Sequence, residues 1–229
     1  MTVTNACSRV SGAAGIAKKG NRFNMILNAE RFERAIAGFD ALNRQDPSFD
    51  ESAGQAIPKE LLYSERMSAM LRRYAPDASE ALQLAARCQH IQRWKIARAS
   101  YPMTKPGYYQ WRTELKSFHA GIARQVLTDV GYDEATVARV CALVGKTLPV
   151  ADVEAQTLED VVVLVFLESY LAQFVASHND YDAAKFADIL NKTLRKTSAR
   201  ARSAAQAMID LPADLRPLVV SLLVQFEAH

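Results

Sequence analysis

The stretch LEDVVVLVFLESYLAQFVA, from Leu158 to Ala176, is the most apolar in the chain and does most to decide its fold class. Its run of valines has strand propensity. Yet it continues for about 20 residues without a turn residue, a length that belongs to a helix rather than a strand. A helix that is apolar on every side must be buried, so other elements have to surround it. With 229 residues, the chain is long enough to supply them and to close a substantial core.

The surrounding sequence reads as further helices. From Ala29 to Asn43, Phe32, Ile36, Phe39 and Leu42 recur at helical spacing. QDPSFDESAGQA (Gln45–Ala56) reads as a polar loop, and Pro58 opens a helix at a position where its missing N–H does no harm. Asp77 and Glu80 form a capping-box pattern ahead of ALQLAARCQHI. A long loop, Lys95–Gly107, precedes a helix whose apolar face is expected to carry Trp111, Leu115, Phe118, Ile122 and Val126. Asp133 caps a shorter helix that Gly145 ends, and Thr157 is expected to cap the apolar helix, with Asp160 closing the box. Three more helices follow, around residues 183–198, 200–209 and 214–227. No strand alternation and no fixed-period repeat is visible. The chain is therefore expected to be an all-α, single-domain helical bundle over residues 29–229, behind a disordered Ser/Ala/Gly/Thr-rich leader at 1–28.

Composition narrows the function classes. Hydrophobic residues make up 49% and charged residues 23%, values of a globular chain rather than a disordered one. A net charge of +3 is too small to argue for nucleic acid. The basic segment NKTLRKTSARARSAA lacks aromatics and reads as a solvated helix face, so nucleic-acid binding is not expected. Three scattered cysteines, Cys7, Cys88 and Cys141, form neither a disulfide framework nor a metal knuckle, which points to the cytoplasm. No apolar run reaches the length of a membrane span. Oligomeric state is not legible.

Polar residues at the end of one core helix stand out. In ARCQHIQRW, the residues Gln89, His90, Gln92, Arg93 and Trp94 occur where a core helix should simply stop. His90 is flanked by Arg87 and Arg93, and His119 shares its helix with Arg112 and Lys116. Nearby cations hold an imidazole neutral, ready to bind metal or take a proton. The plainer alternative is that each His bonds a backbone carbonyl at a packing contact. Phe118 is expected on the apolar face, which would displace His119 toward the cations. Glu168 interrupts the apolar run and must be either protonated or paired, most simply with an arginine. Arg93, Lys95, Arg98, Lys105, Arg112 and Lys116 are interleaved with aromatics, including Trp94 and Trp111, and Lys146 sits just past Gly145 at a helix end; the composition suits a small anion such as a phosphate or nucleotide.

The order of these pieces resembles metal-dependent phosphohydrolases of the HD-domain superfamily. LLYSERMSAML is similar to the first helix of that family, with Tyr63 where it has a His. LQLAARCQHIQ is similar to its helix ending in His-Asp, with Gln89 and His90 at the pair. FHAGIARQVLTDVGYDEATVARVCALV places His119 at a ligand position, and TLEDVVVL places Asp160 or Glu159 at the final acid. The resemblance covers an HD-like core of about 61–172, followed by C-terminal helices at 183–229. PKELLYSERM, QHIQRW, SYPM with GYYQWRTELKSFHA, and QTLEDVVVLVFLE also resemble an uncharacterised bacterial and fungal family, DUF4202, over nearly the whole chain after Phe32.

The superfamily resemblance implies a phosphohydrolase-like enzyme acting on a small phosphate- or nucleotide-type anion. His90, His119 and Asp160, or Glu159, would act as acid and base or hold manganese, iron or zinc, and are expected to converge. Gln89, Arg93, Trp94, Arg112, Lys116 and Lys146 would bind substrate. Two alternatives stand beside it: a module that senses a small anion without metal or catalysis, and a nucleic-acid-associated adaptor.

Overall fold

The computed structural model describes residues 13–226. Ten α-helices dominate them. In chain order these are α1 (Ala13–Asn43), α2 (Lys59–Tyr74), α3 (Glu80–Cys88), α4 (Lys105–Asp129), α5 (Glu134–Gly145), α6 (Val153–Val165), α7 (Leu171–Ala176), α8 (Ala183–Leu194), α9 (Ala199–Met208) and α10 (Arg216–Gln225). The chain is all-α, as its periodicity predicts. Of the expected leader, residues 1–12 lie outside the described residues, and α1 already runs from Ala13.

The core gathers where α3 lies against α2, α5 and α6. Helix α4 packs along α5, and α2 along α6. Leu84, Ala85, Cys88, Leu143, Leu164 and Leu167 are fully or almost fully sequestered there. The apolar segment is one helical run whose α6 and α7 portions are joined by a π turn, Phe166–Tyr170. Its start differs from expectation. Asp152 caps α6 by accepting from Ala155 N–H at 2.9 Å, so Asp160 lies two turns into the helix rather than in its first turn. Glu168 is indeed paired, accepting two bonds from Arg73 Nη1 at 2.9 and 3.0 Å.

Two further local readings change. The segment expected to be a polar loop holds a small antiparallel hairpin, β1 (Phe49–Ser52) with β2 (Gln55–Pro58), in which Ser52 faces Gln55. Ala53 and Gly54, with φ of 50° and 77°, make the two-residue turn with both central residues left-handed that strand twist favours. Helix α3 is capped by Ser79, which accepts from Leu82 N–H, and not by Asp77. Glu80 instead takes the Tyr132 hydroxyl at 2.6 Å.

Candidate functional site

The QHIQRW segment turns sharply after α3. Ile91 is fully buried and anchors the turn. Gln92 takes a left-handed conformation at φ 53°, one that an L-residue adopts at a cost of about 1 kcal/mol. Its N–H is held by Oδ1 of Asn43, at the end of α1, at 3.0 Å. Arg93 then opens a short 3-10 turn, its guanidinium 4.8 Å from the centre of the Trp111 ring. Cys88 and Ile91 are thus kept inside while His90 and Arg93 are turned toward α4.

Helix α4 presents His119 to that turn. Its buried stripe is Trp111, Leu115, His119, Ala123 and Leu127, four residues apart, with Phe118 beside the stripe rather than on it. His119 therefore sits on the core-facing side, contrary to the displacement expected from Phe118. Its Nδ1 lies 2.8 Å from Ile91 O. A carbonyl only accepts, so Nδ1 carries the proton and Nε2 presents a bare lone pair. That Nε2 is buried and has no hydrogen-bond partner. The packing contact and the unpartnered acceptor thus fall on different nitrogens of one ring.

The His90 and His119 rings stand 6.0 Å apart, centre to centre. Arg93 Nη1 approaches His90 Nε2 at 3.4 Å. Since a guanidinium only donates, this leaves the proton on Nδ1, which faces Glu60 Oε2 at 3.8 Å. Tyr63 stacks on the other side of the His90 ring at 4.4 Å and 12°. Gln89 is buried, and its Oε1 also has no partner.

Around the two imidazoles stand Arg93, Arg112, Lys116 and Lys146, which line one narrow cleft with them and with Gln89. Arg112 and Lys116, one turn apart on α4, share that wall. Lys146 follows α5 in a left-handed conformation at φ 55°, and its ammonium bonds Glu159. The cleft closes over about 20 Å3, room for about one water.

Burial and these cations set the protonation states. Burial, helped by Arg93, pushes His90 well below its usual range. Burial also brings His119 down to about 4, against the opposing bond to Ile91 O. Both are neutral at pH 7. The Lys146 ammonium is pulled down by burial despite Glu159. Glu60 is raised to about 7, chiefly by burial, with Arg93 opposing.

The structure therefore brings together Gln89, His90, Arg93, Arg112, Lys116, His119 and Lys146, with Glu159 attached through Lys146. It does not bring Trp94, which is half-buried in the 3-10 turn and does not line the cleft. Nor does it bring Asp160. That carboxylate accepts from Tyr74 Oη (2.8 Å), Gln156 Nε2 (2.9 Å), Ser198 N–H (2.8 Å) and Ser198 Oγ (2.6 Å), which spends its acceptor sites on tying α6 to α2 and α9. Arg98, expected among the anion-binding cations, donates instead to Tyr101 O and Pro102 O of its own loop.

Among the described residues, no three His, Cys, Asp or Glu side chains gather as a metal-ligand set. The groups nearest the imidazoles are cations, whose charge opposes a divalent ion. These side chains do not fit the manganese, iron or zinc that the superfamily resemblance implied.

Glu60 is the site residue that sequence reasoning missed. An acid in the first turn of a helix reads as a partner of the helix dipole. Its burial comes from the hairpin and from Asp46, whose Oδ2 holds its N–H at 3.0 Å. The available signal was its spacing, one turn before Tyr63.

Fold and site together define an all-α domain with a cationic cleft built around two neutral histidines. The chain belongs to the family described as Domain of unknown function (DUF4202), which matches residues 33–219. No curated protein and no solved structure matches it, and the HD-domain likeness finds no support in these comparisons. No helix among the described residues is long and apolar enough to cross a membrane.

Proposed function

We propose that the cleft between the QHIQRW turn and α4 binds a small phosphate-type anion, and that the chain hydrolyses a phosphate ester there. The observation that carries this reading is the unpartnered, buried Nε2 of neutral His119. It lies in a cleft lined by Arg93, Arg112, Lys116 and Lys146. A buried acceptor without a donor is costly. Its position among cations suits a ligand that brings negative charge and an O–H together, as a hydrogen phosphate does. Gln89 Oε1 is a second such acceptor.

The chemistry follows from the same groups. Guanidinium and ammonium donors hold phosphoryl oxygens and balance charge that builds in the transition state. His119 Nε2 accepts a hydrogen bond from the attacking water and orients it. As the water attacks phosphorus the P–O ester bond breaks and the water's proton passes to the departing oxygen; Glu60, facing His90 Nδ1 at 3.8 Å from the adjoining space with its carboxyl raised to about 7 by burial, sets the charge beside the cleft at neutral pH.

The test is twofold. Thermal stabilisation by inorganic phosphate and sulfate reads binding, and phosphate release from a monoester, with and without chelator or added manganese, reads catalysis. Stabilisation together with chelator-resistant release is expected. Stabilisation without release would reduce the protein to an anion-binding module. Release only with metal would restore the HD-type reading. No stabilisation by any oxyanion would overturn the proposal.

A further inference from the structure

A second space adjoins the cleft. His90 and Arg93 line both, so the two spaces lie on either side of a shared wall. This chamber has a volume of about 270 Å3, whereas an apolar cavity of about 150 Å3 already holds a benzene-sized ring. One side of it is apolar and largely aromatic, with Tyr63 on α2 and Val162, Phe166 and Tyr170 along the apolar helix, while Lys59, Glu60, His90 and Arg93 complete the lining. Val162, Phe166 and Tyr170 follow one another at four-residue spacing, and the π turn Phe166–Tyr170 falls where the helix borders the chamber. Such turns recur at functional sites.

The chamber is not purely greasy. The Tyr63 hydroxyl is buried with no hydrogen-bond partner. The Glu60 carboxyl opens on the same space, close enough to neutrality to donate as well as accept. A simple hydrocarbon tail would leave both unused. A flat ring with a polar edge would stack on the aromatic walls and engage both.

We infer that the ligand is a phosphate monoester of a planar, hydrogen-bonding ring, with its phosphate on the cations of the cleft and its ring in the chamber beside Tyr63. This rests on the anion reading above and narrows its substrate class.

The test compares inorganic phosphate, phenyl phosphate, pyridinyl phosphate and n-butyl phosphate by calorimetric titration. Phenyl phosphate should bind at least about tenfold more tightly than inorganic phosphate, from burial of the ring. Pyridinyl phosphate, with a ring nitrogen for Glu60 or Tyr63, should bind more tightly still, and butyl phosphate more weakly than either. Val162→Phe, which fills the chamber, should remove the advantage of the ring while leaving inorganic phosphate affinity unchanged, and that retained affinity also reports a folded protein. If inorganic phosphate binds but neither ring compound binds better than butyl phosphate, the inference falls and the anion site stands. If none of the four binds, the anion reading falls first.

Discussion

Replacing Glu60 by Gln isolates the energetic strain built into the site. Glu60 is 8% exposed, and burial raises its carboxyl from 4.5 to about 7. At about 1.4 kcal/mol for each tenfold change in acidity, keeping this carboxylate ionised inside the fold costs about 3 kcal/mol. The sign follows from linkage. Where pH lies between the two values, the folded state holds a proton that the unfolded state has released. The stability contributed by the neutral carboxyl is therefore fully present below pH 4.5 and is lost as pH rises through about 7. Glu60→Gln is neutral at every pH. It should exceed the parent by about 1 kcal/mol at pH 5 and by about 3 kcal/mol at pH 8, so the difference between the two proteins should grow by about 2–3 kcal/mol across that range. His90 and His119, both lowered, contribute stability that is present at neutral pH and is lost on acidification. For His119 that loss is common to both proteins and cancels in their difference, whereas His90, 3.8 Å from Glu60, changes partner and is read from the acid end of the same curves. The assay is urea unfolding of the two proteins from pH 5 to pH 8. A difference that stays flat within about 0.5 kcal/mol, inside the usual extrapolation error, would refute the buried, raised carboxyl.

Other outcomes follow from single groups. Arg112→Ala should weaken phosphate binding by about 1–3 kcal/mol, the range of charge-assisted hydrogen bonds, as read by calorimetry. Asp160→Ala should cost about 2–3 kcal/mol of unfolding free energy, because it strands Tyr74, Gln156 and Ser198 donors, while phosphate affinity stays unchanged. His119→Ala should abolish ester turnover; since Ile91 O is then left without its donor, His119→Asn is the companion variant that separates lost chemistry from lost packing. The rate profile of the parent should show one limb near pH 7, which disappears in Glu60→Gln; a limb that persists would belong to another group.

Much of the architecture was legible because helices declare themselves by local spacing. Phe32, Ile36 and Phe39 do so, as does Asp133, whose carboxylate accepts from Thr136 N–H at 2.9 Å. The Glu168 pairing was also legible, since a carboxylate set within an apolar helix finds a cation even where, as here, it is only half-buried. The hairpin escaped notice because strands four residues long with exposed polar faces carry no hydrophobic alternation. Asp160 was misread as a ligand because its true partners, Tyr74 and Ser198, come from α2 and the start of α9. A carboxylate's allegiance is decided by tertiary placement rather than by its own helix. His119 was assigned the wrong face because Phe118 outranks it in hydrophobicity, while the buried stripe is set by how α4 packs on α5 and α1. The cations Arg93, Arg112, Lys116 and Lys146 were found by density alone, and their meeting around His90 depends on the left-handed turn at Gln92, which Asn43 holds. Nothing local marks either residue for that task.

The central claim is that His119 Nε2 is a bare acceptor awaiting an anionic ligand among four cations. Nitrogen NMR of the histidine side chains reads that atom directly. At pH 7, His119 should show the tautomer protonated on Nδ1. Its Nε2 signal should shift saturably on addition of inorganic phosphate, and the shift should be lost in Arg112→Ala. An Nε2 signal that is already protonated, or that does not move at saturating phosphate, would contradict the account.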